Sequence, residues 1–108
     1  MEDSMIYELR TYQLAVGGMA DYLDLIRTKL LPLLAEHGIK PVGFWTTDIG
    51  PLNEVVHLWA FNDLNERQAK WGAWMKDPRR AEIVPRLKAA IVSQSNKILS
   101  PTEFSQLK

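Results

Sequence analysis

Cysteine is absent from the 108 residues. Disulfides, thiol nucleophiles and thiolate metal sites are excluded together, and a reducing compartment fits. Net charge is also absent: 13 Lys and Arg balance 13 Asp and Glu. A nucleic-acid partner is therefore not expected, since phosphate binding needs a basic excess gathered on one surface. The densest basic spot, Lys76 with Arg79 and Arg80, reads as a solvated helix end. No apolar run approaches the roughly 18 residues of a membrane span, so no membrane partner is expected. The acidic start Met1-Glu2-Asp3-Ser4 suits neither a signal peptide nor an Arg-rich transit peptide, and a cytoplasmic location is the expectation. Only two histidines are present, too few for a protein-only metal site, and neither a phosphate loop nor a nucleophile-elbow motif occurs. No resident metal or cofactor is expected.

What is there reads as one small domain over residues 1–108, with 46% hydrophobic and 24% charged residues. A chain this short buries only about two-thirds of the surface it exposes when unfolded, so a partner subunit would help its core. Met5 to Leu14 alternates and reads as a strand ending at Gly17-Gly18. A helix follows, with Met19, Leu23, Ile26, Leu30 and Leu34 along one face, closed by Gly38 and kinked or divided at Pro32. Val42 to Ile49 and Glu54 to Phe61 form a hairpin around Gly50-Pro51-Leu52-Asn53. Asp63 and Glu66 have capping-box spacing before a helix with Leu64, Gln68, Trp71 and Met75 on one side. Asp77-Pro78 and Pro85 break the helical region that runs on to Val92. A last strand around Ser95 to Ser100 stops at Pro101, which suits a sheet edge. The order is βαββαβ, a ferredoxin-like α+β fold with a four-stranded antiparallel sheet in the spatial order fourth, first, third, second strand.

Side chains alternate across a strand, so each strand divides into two faces. Leu9, Val56, Leu58 and Ala60 are the apolar set and are expected to meet the helices, with Tyr7 and Trp45 on their side. Glu8, Arg10, Tyr12, His57, Trp59 and Phe61 are left for the opposite face. Left to water, those aromatics would make an unusually large apolar patch, and as plain core the charges would need buried partners. A second copy covering this face and enclosing a cavity resolves both difficulties. Within it, His57 is the candidate acid or base, because an imidazole titrates near neutral pH. Glu8 and Arg10 are spaced to share an ion pair, and Arg10 is the group to grip an anionic ligand through its planar fork. Tyr12, Trp59 and Phe61 supply walls. The bland alternative gives the same residues a structural role: a hydrogen-bonded histidine, a salt-bridge network and packed aromatics. Trp71 and Trp74 read as core or pocket lid, and His37 as a solvated helix-end residue.

Several segments, taken in order, resemble the NIPSNAP family: Met5-Ile6-Tyr7-Glu8-Leu9-Arg10-Thr11-Tyr12, Val42-Gly43-Phe44-Trp45-Thr46-Thr47, Ile49-Gly50-Pro51-Leu52-Asn53, Val55-Val56-His57-Leu58-Trp59-Ala60-Phe61 and Ile98-Leu99-Ser100-Pro101-Thr102-Glu103-Phe104-Ser105. The resemblance covers nearly the whole chain. It implies a dimeric α+β barrel, in which two ferredoxin-like protomers pack sheet to sheet. The wider superfamily includes cofactor-free monooxygenases, haem-degrading enzymes and isomerases, so fold alone does not decide activity. Haem at His57 would rest on that analogy only. The family's animal members are associated with mitochondria, trafficking and mitophagy, and no settled catalytic motif carries over. Two readings follow: a homodimer that binds a small organic molecule, with cofactor-independent oxygenation or isomerisation as its enzymatic form, or a non-enzymatic structural or interaction module.

Overall fold

The computed structural model describes residues 5–108, so the acidic Met1–Ser4 start lies outside the described residues. Four strands form one antiparallel sheet: β1 (Ile6–Leu14), β2 (Pro41–Thr46), β3 (Glu54–Phe61) and β4 (Ile91–Leu99). Their spatial order is β2-β3-β1-β4, as the ferredoxin-like pattern predicts. β4 begins four residues before the expected Ser95, because α4 hands the chain to the sheet directly, with no loop between Ala90 and Ile91. β2 ends at Thr46, three residues short of the expected Ile49.

The first helical region has three parts: α1 (Met19–Leu25), a π-turn (Ile26–Leu30) and α2 (Leu31–Glu36). Pro32 accounts for the division. It has no N–H to give the carbonyl four residues back, and the widened turn sits immediately before it. Gly38, at φ +74°, takes the left-handed conformation that ends α2. Asn53 does the same for the β2–β3 turn at φ 58°. α3 (Leu64–Met75) starts at Asp63, whose carboxylate accepts the Glu66 N–H at 2.8 Å. Asp77 caps a 3-10 turn (Pro78–Glu82) by accepting the Arg79 N–H at 2.9 Å, and α4 (Val84–Ala90) follows. No helix among the described residues is long and apolar enough to cross a membrane.

Strand register settles which residues share a face. Glu8 lies opposite Trp59, Arg10 opposite His57, and Phe44 opposite His57 on its other side. The grouping read from alternation is therefore right, but the side is inverted. Trp59 and Phe61 pack into one core cluster with Leu25, Leu34, Trp74 and Ile83 from the helical regions, so their face is the helix-covered one. Val55 and Leu14 join Tyr22 and Ile26 in a second cluster on the same side. Leu9, Thr11, Val56, Leu58 and Ala60 lie on the open face, half-buried, and Trp45 beside them is 54% exposed. Tyr7 alone is buried there. The physical reason is volume and charge. A helix layer stands about 10 Å from a sheet, and Trp and Phe fill that gap better than Val and Ala do. The charges of Glu8 meet partners on α3, which the β1 and β3 pattern cannot show.

Candidate functional site

Glu8 is completely buried at the centre of the helix-covered face. Arg67 of α3 donates to both its oxygens, Nε to Oε1 at 2.7 Å and Nη2 to Oε2 at 3.1 Å. Trp71 Nε1 donates to Oε1 at 3.2 Å and Asn96 Nδ2 to Oε2 at 2.9 Å. Burial pushes this carboxyl upward, but the bonds from Arg67 and Asn96 and the charges of Arg10 and Arg67 outweigh it and hold it below its ordinary value. With four donated bonds it has no capacity left for a ligand. Its bonds tie β1 to α3 and β4.

Arg10, next on that face, approaches Glu8 Oε2 at 3.4 Å without hydrogen-bond geometry. Its guanidinium lies 4.9 Å from the Trp71 ring centroid and 6.0 Å from that of Tyr12, so two π-faces hold its position. His57, 3% exposed, is enclosed by aromatics: Phe44 stacks on it at 4.6 Å and Tyr12 meets it edge-on at 4.7 Å. Trp59 Nε1 donates to His57 Nδ1 at 2.7 Å. An indole N–H only donates, so Nδ1 accepts and the neutral ring carries its proton on Nε2. That Nε2–H is buried and has no partner among the described residues. Burial first, and the charge of Arg10 second, push the His57 pKa down to about 4 against a weaker pull from Glu8. The imidazole is thus neutral at physiological pH, with its lone pair occupied and one N–H free. Burial likewise raises the Tyr12 phenol above its ordinary value, Arg10 opposing, so it stays protonated.

These groups border a cavity of about 570 Å³ between the sheet and the helices, within the range of small-molecule sites. Arg10, Tyr12, His57 and Trp59 line it, whereas Glu8 stands behind the wall and Phe61 lies in the neighbouring core. Leu30, Leu31, Leu34 and Leu87 supply apolar wall, and Ile26 and Leu30 come from the π-turn. Arg67, Arg80 and Lys88 add basic groups that the sequence reading did not select. Asp63 was the available signal for Arg67: once it starts the helix, Arg67, Trp71 and Trp74 fall three and four apart on one stripe. That stripe faces inward; Leu64 is 57% exposed, and Met75 borders the cavity while remaining 60% exposed. Arg80 leaves the solvated cluster expected for it and sets its guanidinium 5.6 Å from the Trp74 ring centroid. Arg79 remains outside, paired with Asp77 and Glu36.

His37 is not the solvated end residue expected, for its Nε2 lies 2.8 Å from Asp77 Oδ2 and its ring meets Trp74 edge-on. Hydrogen bonds from Arg79 and then His37 hold the Asp77 carboxyl far below the usual carboxylate range. Among the described residues no group of three or more His, Asp or Glu is placed to hold a metal ion.

The NIPSNAP family profile matches residues 7–106. Human Protein NipSnap homolog 3A is 35% identical over 103 residues, which are 95% of this chain and 42% of that protein. The Danio rerio Protein NipSnap homolog 2 is 32% identical across 95% of this chain and 35% of its own length. The chain thus spans less than half the length of these curated relatives. Among solved structures, a NIPSNAP family protein with unknown function from Agrobacterium tumefaciens superposes with a TM-score of 0.93 at 35% identity, covering 100% of this chain and 97% of that one. An uncharacterized NIPSNAP-like domain protein from Burkholderia xenovorans gives 0.89 at 32% identity, covering 96% and 90%. Fold and sequence agree with these relatives, and the chain belongs to the NIPSNAP family.

Proposed function

We propose that this protein binds a small organic molecule in the cavity between its sheet and its helices, and that it works as a homodimer. One observation carries the binding half: a cavity of about 570 Å³ is bordered by His57, a buried side chain whose Nε2–H has no partner among the described residues. A buried donor left unpaired costs about 1–3 kcal/mol, which an acceptor on a bound molecule would recover. Buried polar atoms are bonded in the large majority of cases, so an unpaired Nε2–H beside a cavity favours the binding reading over the interaction-module one. The role that fits His57 is donation of a hydrogen bond to substrate oxygen rather than proton shuttling. Its Nδ1 is taken by Trp59, and a pKa of about 4 leaves it a weak base at neutral pH. Any reaction here would use it to stabilise a developing oxyanion.

The homodimer reading rests on the open face. Leu9, Val56, Leu58 and Trp45 form an apolar strip with no helix over it, and a second copy is the self-complementary cover that two-fold symmetry supplies. Gly43 suits this flat surface, since a Cβ there would collide with the Trp45 ring lying across it. The proposed interface is therefore the face opposite the one assigned from sequence, and the cavity lies within each protomer.

A thermal-shift screen of chemically diverse small molecules tests the binding reading. Hits are expected to raise the melting temperature of the wild type but not of Leu30→Trp, which fills the cavity. An absence of hits, or equal shifts in the two proteins, would contradict it.

A further inference from the structure

The charges around the cavity are unbalanced. Arg10, Arg67, Arg80 and Lys88 border it, and among the described residues no Asp or Glu does. Behind the wall, the single carboxylate of Glu8 faces two guanidiniums, Arg10 and Arg67, so this trio keeps one positive charge. Arg67 is fully engaged, because both oxygens of Glu8 accept from it. Arg10 is not: it makes no hydrogen bond among the described residues, and its Nε is buried without a partner. Arg80 has no carboxylate within ion-pair distance among the described residues, and its Nε is likewise buried and unpaired. A partly buried cation that shares its counter-charge, as Arg10 does, or has none within ion-pair distance, as Arg80, is costly, and an anionic occupant offsets that cost.

His57 narrows the choice. It lies directly across the strand pair from Arg10, on the same face, so the two side chains start about 5 Å apart. Its free Nε2–H can only donate while the ring is neutral. A guanidinium fork beside a neutral N–H donor suits a planar carboxylate. Much of the remaining lining is apolar, with Leu30, Leu34, Leu87 and Trp74 among it, and Ser93 and Gln94 add neutral polar groups. A phosphate would more usually meet a glycine-rich loop or a helix N-terminus, and no glycine lines this cavity.

We propose that the occupant is an organic carboxylate with an apolar body of aromatic size, its carboxylate held by Arg10 and accepting the Nε2–H of His57, its body lying among the leucines and Trp74. This rests on the cavity being a binding site and goes further by naming the chemical class.

Calorimetric titration of the wild-type protein with three matched probes, 1-naphthoate, 1-naphthamide and 1-naphthylmethylammonium, tests it at neutral pH. The carboxylate is expected to bind at least about tenfold tighter than the amide, the gain of one charge-assisted hydrogen bond, and the ammonium to give no binding. Arg10→Gln should bring the carboxylate down to the amide's affinity without changing the amide. Arg10→Lys, which keeps the charge, should retain part of the preference. Equal binding of all three probes, or an unchanged preference in Arg10→Gln, would overturn the carboxylate assignment while leaving a binding cavity. No heat from any probe at millimolar concentration would overturn the binding reading together with it.

Discussion

The two faces of the sheet solve different packing problems with side chains from the same strands. Along β1, Glu8, Arg10 and Tyr12 point toward the helices, and the residues between them, Leu9 and Thr11, point the other way. The helix-covered side carries the large aromatics and the buried charges: Trp59, Phe61, His57 and Glu8 are each 3% exposed or less. The open side carries Leu9, Thr11, Val56, Leu58 and Ala60, which are only half-buried, beside a buried Tyr7 and an exposed Trp45. Helices cross a sheet unevenly and leave space, which bulky rings fill in part and a cavity occupies elsewhere. A second sheet would lie flat, and Val, Leu, Ala and Thr make the even surface such packing needs. The polar network stands on the first side because only the helices supply Arg67 and Trp71 as partners for Glu8.

Removing the centre of the covered side should have the largest effect. Glu8→Ala leaves Arg67 and Arg10 facing each other without a carboxylate, and a loss of about 3–5 kcal/mol is expected. Urea denaturation at one fixed protein concentration measures it. A loss under 1 kcal/mol would make the network incidental.

Acid should act on the same side through His57. Its folded pKa of about 4 lies below the ordinary imidazole value of 6.5, so between these values the unfolded chain binds a proton that the folded one refuses. Stability is therefore full above about pH 6.5 and falls as pH drops toward 4, by on the order of 3 kcal/mol in all. Glu8, whose pKa is also lowered, adds a further loss below its ordinary value. His57→Gln should flatten the pH 6.5 to 4 window in a melting-temperature series, and an unchanged slope would show that His57 is not the group responsible.

A smaller effect is expected where the covering helix begins. Asp63→Ala removes the cap that phases α3 over the sheet, at about 1 kcal/mol by chemical denaturation. Smallest of all is Thr11→Ala on the open side, which should stay within about 0.5 kcal/mol in the same assay. A cost for Thr11 comparable to that for Glu8 would erase the contrast between the faces.

The sequence showed strand order and face membership well, because alternation in Ile6–Leu14 and Glu54–Phe61 is regular and the turns at Gly50–Asn53 and Gly38 use residues suited to left-handed backbone. It did not show which face the helices take. Apolar content pointed one way, with Val56, Leu58 and Ala60, while side-chain volume and the Arg67 partnership pointed the other. Hydrophobicity ranks residues by transfer to oil, and a Glu with four donors is as well buried as a leucine once those donors exist. Four of the six selected residues, Arg10, Tyr12, His57 and Trp59, do meet at the cavity. Arg80 and Lys88 were hidden because they approach it from the broken helical region, where Pro78 and Pro85 interrupt the periodicity that would have phased them.

The division of labour between the faces is tested most directly by the mass of the protein in solution. Sedimentation velocity of the wild type and of Leu58→Asp, run together at micromolar concentration, should give twice the 12.4 kDa chain mass for the wild type. The variant, still folded by circular dichroism, should give the single-chain mass. A wild-type monomer, or a Leu58→Asp protein that remains dimeric, would contradict the assignment of the open face to the second copy.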